Sequence, residues 1–351
     1  MTLFNSAKKV TLTAFLLIAA TFSVYPWGFF GHQRINRLAV FSLPPEMVSF
    51  YKYHIVYITE NAVNPDRRRY AVKGEAPRHY IDIDVYGDSA LWKMPRKWED
   101  AVAKYTEDTL MEYGIVPWHI NKMKYRLTEA FRKKDVRSIL LLSCDIGHYI
   151  ADANVPLHTT VNYNGQLTGQ KGIHGFWESR LVELFSDNYD FFVGSASYIE
   201  DPQTKAWEAV INAHLALDSV LGFEKTLTAR FSEDKKYSYE QRGMMSIQVY
   251  SKDFSRAYHT MLGNQVERRM RASIKMVADF WYTCWVDAGK PDLSEFTQFN
   301  FSKEELEQME KEQKEWNNPR LNVRPHDASF EIGELLWGNT CARSPHEGCG
   351  H

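Results

Sequence analysis

Apolar residues recur at three- and four-residue spacing through most of this chain, and strand-like alternation is scarce. The pattern predicts an all-α fold. One helix is expected over 43–61, opening on Pro44-Pro45 as a helix start does. A second, over 97–113, carries Trp98, Val102, Tyr105, Thr109, Leu110 and Tyr113 along one side. The stretch 136–153 is more apolar and is read as the central helix, with others over 172–185, 204–231 and 250–288. The Gly- and Asn-rich segment 162–172 reads as a loop. No internal repeat is visible. The compact region is expected to end near Asp292, after which the charge-dense run 303–315 reads as a solvated helix.

The N-terminus has a different pattern. Lys8 and Lys9 precede an apolar run from Val10 to Val24, with no acid before Glu46. That is the design of a secretory signal and is short for a membrane span. The chain is therefore expected to be exported, to the periplasm or outside the cell, with no transmembrane span once a signal of 1–26 is removed. The division that follows is a signal peptide, a domain over 27–292 and a C-terminal extension over 293–351.

Composition narrows the function. The 44% apolar and 25% charged residues are those of a globular protein. The 42 basic residues are balanced by 44 acidic ones, which argues against nucleic-acid coating by bulk charge and against a stable nucleic-acid complex. Four cysteines are too few for a disulfide scaffold. Cys144 and Cys284 lie in apolar helical stretches and read as core residues, whereas Cys341 and Cys349 in the tail can pair with each other.

The candidate chemistry lies in histidines and carboxylates. His148 and Asp152 are four apart, so on a helix they project from one face, and Pro156 ends that helix before His158. His174 and Glu178 form a second pair at the same spacing. Three imidazoles and two carboxylates between His148 and Glu178 suit zinc, which takes nitrogen and oxygen ligands. Upstream, His32, Asp66 and His79 are further candidates, and Asp82 reads as a supporting or surface acid. Arg67, Arg68 and Arg69 follow Asp66, so one of them can hold a phosphate bidentately. Tyr80 is placed to line a pocket. His54, His119, His214 and His259 have no ligand partner at helical spacing and read as structural or surface groups, as do His326, His346 and His351.

Taken in order, Trp27, His32, Asp66, His79, His148-x3-Asp152-x5-His158 and His174-x3-Glu178 resemble the zinc-dependent phospholipase C and single-strand-specific zinc nuclease superfamily. The resemblance runs from about Trp27 to Asp292 and implies a helical cleft holding three zinc ions. One would be held by Asp66, His79, His148 and Asp152, and a second by His158, His174 and Glu178. The third would take His32, Asp152 as a bridge, and Trp27 through its amino and carbonyl groups, on condition that Trp27 is the mature N-terminus. The activity implied is hydrolysis of phosphoric diesters, in which metal-activated water attacks phosphorus. Asp66 would orient that water or take its proton, and Arg69 would hold the phosphate.

The two branches of the superfamily divide on substrate. The Trp27-to-His32 spacing and the Asp66-x-x-Arg69 pattern resemble the nucleases. Glu178, and the short gap from His158 to His174, resemble the phospholipases. The expected substrate is a phospholipid headgroup ester, with single-stranded nucleic acid as the alternative and Tyr80 lining the pocket for either. A non-catalytic zinc-binding envelope protein is a third reading. The ligand set argues against it, because structural zinc sites are usually saturated and often use cysteine.

Overall fold

The computed structural model describes residues 28–242 and 245–324. They are mostly helical, as the spacing predicts, and carry a single two-stranded hairpin. The first helices are α1 (Gly28–Ala39), α2 (Pro45–Tyr53), α3 (Ile55–Glu60) and the short α4 (Asn64–Arg68). They are followed by α5 (Trp98–Tyr105), α6 (Glu107–Tyr113), α7 (Val116–Lys133) and α8 (Val136–Ala153). The remainder comprises α9 (Pro202–His214), α10 (Leu217–Thr228), strands β1 (Tyr237–Arg242) and β2 (Met245–Tyr250), α11 (Lys252–Leu262), α12 (Gln265–Asp287) and α13 (Lys303–Trp316). None of the described helices is long and apolar enough to cross a membrane. The expected signal segment, Trp27 and the tail cysteines and histidines lie outside the described residues.

α8 is the centre. It packs against α7, α12 and α1, and most of its residues, including Ile139, Leu140, Ile146 and Ile150, are buried. Its N-terminus is capped by Asp135, which accepts from Ser138 N at 3.1 Å. Cys144 and Cys284 are free and buried, as their apolar settings imply. Gly147 allows α1 to come unusually close. A Cβ there would lie 2.1 Å from Asn36 Oδ1, while Asn36 Nδ2 donates to the Cys144 carbonyl at 3.1 Å. That contact fixes α1 across α8 and stacks the His32 ring on His148 with centroids 3.9 Å apart.

Several long periodic stretches prove to be pairs of helices. The 43–61 stretch breaks at His54, and 97–113 breaks at Thr106, whose φ of 68° ends one helix while its hydroxyl accepts from Thr109 N. The 250–288 stretch breaks at Gly263 and Asn264, both left-handed. A change of axis at a corner need not interrupt the apolar period, so periodicity alone hides it. The hairpin, 237–250, falls between the expected helices and takes in Tyr250, the first residue of the 250–288 stretch. Arg180 tethers it by pairing with Glu240 at 2.5 Å, and Phe176 stacks on Tyr250 at 3.8 Å.

Packing continues past Asp292. Leu293 is buried, the Phe296 carbonyl meets His54 Nε2 at 3.4 Å, and Phe301 stacks on Tyr57 at 4.9 Å. α13 begins with a capping box between Ser302 and Glu305 and lies against α4. It has no buried residue, in keeping with its charge-dense sequence.

Candidate metal centre

Four polar atoms converge where α4, α8 and the turn Ala76–His79 meet. His79 Nδ1 lies 2.9 Å from Asp152 Oδ2, 3.1 Å from His148 Nε2 and 3.5 Å from Asp66 Oδ1. His148 Nε2 is 3.3 Å from Asp152 Oδ2 and 3.5 Å from Asp66 Oδ1. Tetrahedral zinc with bonds of about 2.0–2.1 Å separates its ligand atoms by about 3.3–3.4 Å, so these five separations are close to those of such a shell.

A second group is assembled by Pro156–Thr159 and the helical segment 173–185. His158 Nε2 and His174 Nε2 are 3.1 Å apart, and Glu178 Oε2 is 2.8 Å from the latter and 3.4 Å from the former. A π-helical turn, Phe176–Arg180, carries Glu178, a local distortion common where side chains must converge on a site. The third group is His32 with the other oxygen of each shared carboxylate: Asp152 Oδ1 at 3.5 Å and Glu178 Oε1 at 3.4 Å. Asp152 and Glu178 therefore both link groups, whereas only Asp152 was expected to bridge. His32, Asp66 and His148 also come within metal-binding reach of one another.

The hydrogen bonds at the far side of the rings decide what faces inward. His148 Nδ1 donates to the Ala62 carbonyl at 2.9 Å, and His158 Nδ1 donates to the His79 carbonyl at 2.6 Å. In its neutral form each ring then turns an unshared pair at Nε2 toward another imidazole nitrogen. Nitrogens 3.1 Å apart in that arrangement repel unless a proton or cation lies between them. All eight residues are buried, at 7% exposure or less, so bulk water screens them little. The donor set is nitrogen and carboxylate oxygen without cysteine, and these groups could hold metal ions.

The buried charges of the centre act on one another. Burial alone would raise the Asp152 carboxyl, but His148 and His158 hold it well below its usual range. Burial opposes charging of His148 too, yet Asp152 and Asp66 raise its pKa well above the ordinary value. His174 is lowered, first by burial. Behind His79 sits Glu75, a group the sequence reading passed over. It is fully buried, pairs with Arg68 Nε at 3.0 Å and Arg78 Nη1 at 2.7 Å, accepts from the Tyr149 hydroxyl, and faces His79 Nε2 at 3.7 Å. Burial pushes its carboxyl up, and contacts from His79 and Arg68 overcome that and hold it well below the ordinary value. Arg68 also forks onto Asp145 at 2.9 and 3.1 Å. The Glu75-to-His79 spacing of four was the available signal.

The sequence matches no protein-family model and no curated protein.

The remaining candidates surround the centre. Arg69, one turn after Asp66, is 2% exposed, and its Nη1 is buried with no hydrogen-bond partner among the described residues. Tyr80 is buried beside it, the Arg69 Cζ lying 5.8 Å from the ring centroid. Asp82 pairs with Arg324 at 2.5 Å rather than lying free on the surface. The other four described histidines have the structural roles expected of them. His54 meets the Phe296 carbonyl, His119 packs edge-on to Tyr149, His214 Nδ1 bonds Thr159, and His259 Nε2 bonds the Tyr189 hydroxyl at 2.7 Å.

Proposed function

We propose that this chain is a zinc-dependent hydrolase of phosphoric diesters, related to the superfamily of zinc-dependent phospholipases C and single-strand nucleases, and acting on phospholipid headgroup esters. One observation carries the reading. Three linked groups of buried His and carboxylate donors lie beside a buried arginine with an unpartnered donor. A purely structural metal site has no use for that arginine, whereas a phosphate does.

Asp66, His79, His148 and Asp152 would hold one zinc, His158, His174 and Glu178 a second, and His32 with Asp152 and Glu178 a third. The third would be completed by Trp27 where that residue is the N-terminus. When bound, zinc supplies Lewis acidity and lowers the pKa of coordinated water toward neutrality. The chain's own groups do the rest. The set of His158, His174 and Glu178 offers only three protein donors, which leaves a position for an exchangeable oxygen ligand. Asp66 orients the attacking water and accepts its proton. Arg69 holds non-bridging phosphate oxygens, with charge-assisted hydrogen bonds that strengthen as negative charge accumulates on them. Hydrogen bonds from His148 to Ala62 and from His158 to His79 keep the imidazoles aimed inward.

Single-strand nuclease activity is the second reading, favoured by the aromatic face of Tyr80 beside Arg69. The test is zinc-loaded protein offered phosphatidylcholine vesicles and, separately, a short single-stranded oligonucleotide, each with and without chelator. Chelator-sensitive release of phosphorylated headgroup is the expected result. Cleavage of the oligonucleotide alone would move the assignment to the nuclease branch. Turnover of neither by zinc-replete protein would reject the hydrolase reading and favour a non-catalytic zinc-binding protein.

A further inference from the structure

Beyond α13 the described chain turns back over the metal centre. The backbone N–H groups of Arg320 and Leu321 both donate to the Tyr70 carbonyl, at 2.9 and 3.0 Å. This pins the segment beside the turn that carries Asp66 and Arg69. A few residues later the Arg324 side chain runs between two rings, with Cζ 4.0 Å from the Tyr80 centroid and 3.9 Å from that of Tyr163. Its fork pairs with Asp82 at 2.5 Å and reaches the carbonyls of Leu157 at 3.4 Å and Thr160 at 3.3 Å. The Arg324 carbonyl in turn accepts from Arg69 Nε at 3.3 Å.

Each contact occupies something a substrate would need. The slot between Tyr80 and Tyr163 adjoins two of the metal-binding candidates, since Tyr80 follows His79 and Leu157 precedes His158. Two aromatic faces and a carboxylate form a receptor for a planar or cationic group, and the chain's own guanidinium fills it. Arg69 spends one donor on a neutral peptide carbonyl, where a phosphate oxygen would form the stronger, charge-assisted bond. The geometry points to a self-occupied site: residues 317–324 are a strap whose Arg324 side chain fills the Tyr80–Tyr163 slot and whose carbonyl engages Arg69, until a phosphate-bearing ligand displaces both. The inference rests on the reading of Arg69 as the phosphate-holding group.

The strap makes binding cost an opening step, so the apparent affinity is the intrinsic affinity reduced by the open fraction. The probe is inorganic phosphate, titrated calorimetrically into zinc-replete, full-length protein. With about a tenth of molecules open, Arg324→Ala binds phosphate about tenfold more tightly than wild type at equal zinc content. Unchanged affinity overturns the strap. Weaker affinity also overturns it, and makes Arg324 a phosphate-binding group instead. A second measurement needs no variant: with the same open fraction, amide exchange at Arg320 and Leu321 should be about tenfold slower in the wild type than in an unstructured chain, and should accelerate at saturating phosphate. Exchange that phosphate leaves unaltered overturns the proposal even if Arg324→Ala does not fold. Neither readout depends on turnover. Tighter phosphate binding in the variant of a protein that hydrolyses nothing would uphold the strap and reject the hydrolase, and hydrolysis with unchanged phosphate affinity would do the reverse.

Discussion

Glu75→Gln separates a metal-supporting role from a merely structural one. Glu75 lies behind His79 and takes hydrogen bonds or ion pairs from Arg68, Arg78 and Tyr149. Removing one partner of a buried ion pair costs about 3–5 kcal/mol. Here the loss should be smaller, because Arg68 keeps its fork on Asp145 and the Arg78 side chain is 32% exposed and can be hydrated. Glutamine also retains one acceptor, so metal-free protein should lose about 2–3 kcal/mol. The second effect concerns the metal. A carboxylate facing the non-coordinating nitrogen orients the ring and raises its basicity, and its loss typically lowers metal affinity by about 10–100-fold. That adds about 1.4–2.7 kcal/mol of destabilisation in zinc-loaded protein. The assay is urea unfolding of metal-free and zinc-loaded forms, with zinc affinity taken from competition against a chelator. A variant that loses the same stability in both forms and keeps wild-type zinc affinity would refute the support role.

Four further outcomes follow. His174→Ala should lose one bound zinc, and unchanged metal content in that variant would rule out the His158, His174 and Glu178 site. Arg69→Ala should slow turnover by about 10²–10³-fold with zinc retained; loss of zinc instead would contradict the phosphate role. Gly147→Ala should cost about 1–3 kcal/mol, because the added Cβ collides with Asn36 and breaks its bond to Cys144, outweighing a helix-propensity gain of about 1 kcal/mol; a more stable variant would refute that. The fourth concerns pH. The folded pKa of Glu75 is depressed below its ordinary 4.5, so its contribution is fully present above that value and is lost as pH falls through the folded pKa. Asp152 shifts in the same direction. Metal-free protein should therefore lose stability progressively below about pH 4.5, and Glu75→Gln should flatten that loss in urea midpoints measured across the range.

What the sequence showed of the site depended on distance along the chain. His148 with Asp152, and His174 with Glu178, announce themselves because one helical turn puts both members of a pair on one face. Each helical pair occupies its own group of donors. That Glu178 also reaches His32 was not legible, since it requires the α1–α8 crossing set by Gly147 and Asn36, residues far apart in the chain with no pattern linking them. Helix content was readable from periodicity, whereas the corners at Thr106 and Gly263 were not, because the apolar period runs through them. Glu75 was overlooked for another reason: a buried glutamate with basic neighbours looks like any surface acid until its burial is known.

Arg324 is the strongest case. In sequence it is one arginine in a polar stretch beyond the expected end of the compact region, and nothing local distinguishes it from Arg320. Its significance comes from partners drawn from three separate segments: Tyr80 and Asp82 near one candidate ligand, Tyr163 in the Gly- and Asn-rich loop, and Arg69 after another. Local sequence specifies the candidate donor pairs, because one helical turn fixes their spacing. Access to them is set by tertiary contacts between segments that are individually unremarkable. On the proposed function, the features that would separate one phosphodiester from another belong to that second kind, so the candidate donors could be read from the sequence while the Tyr80–Tyr163 slot beside them could not.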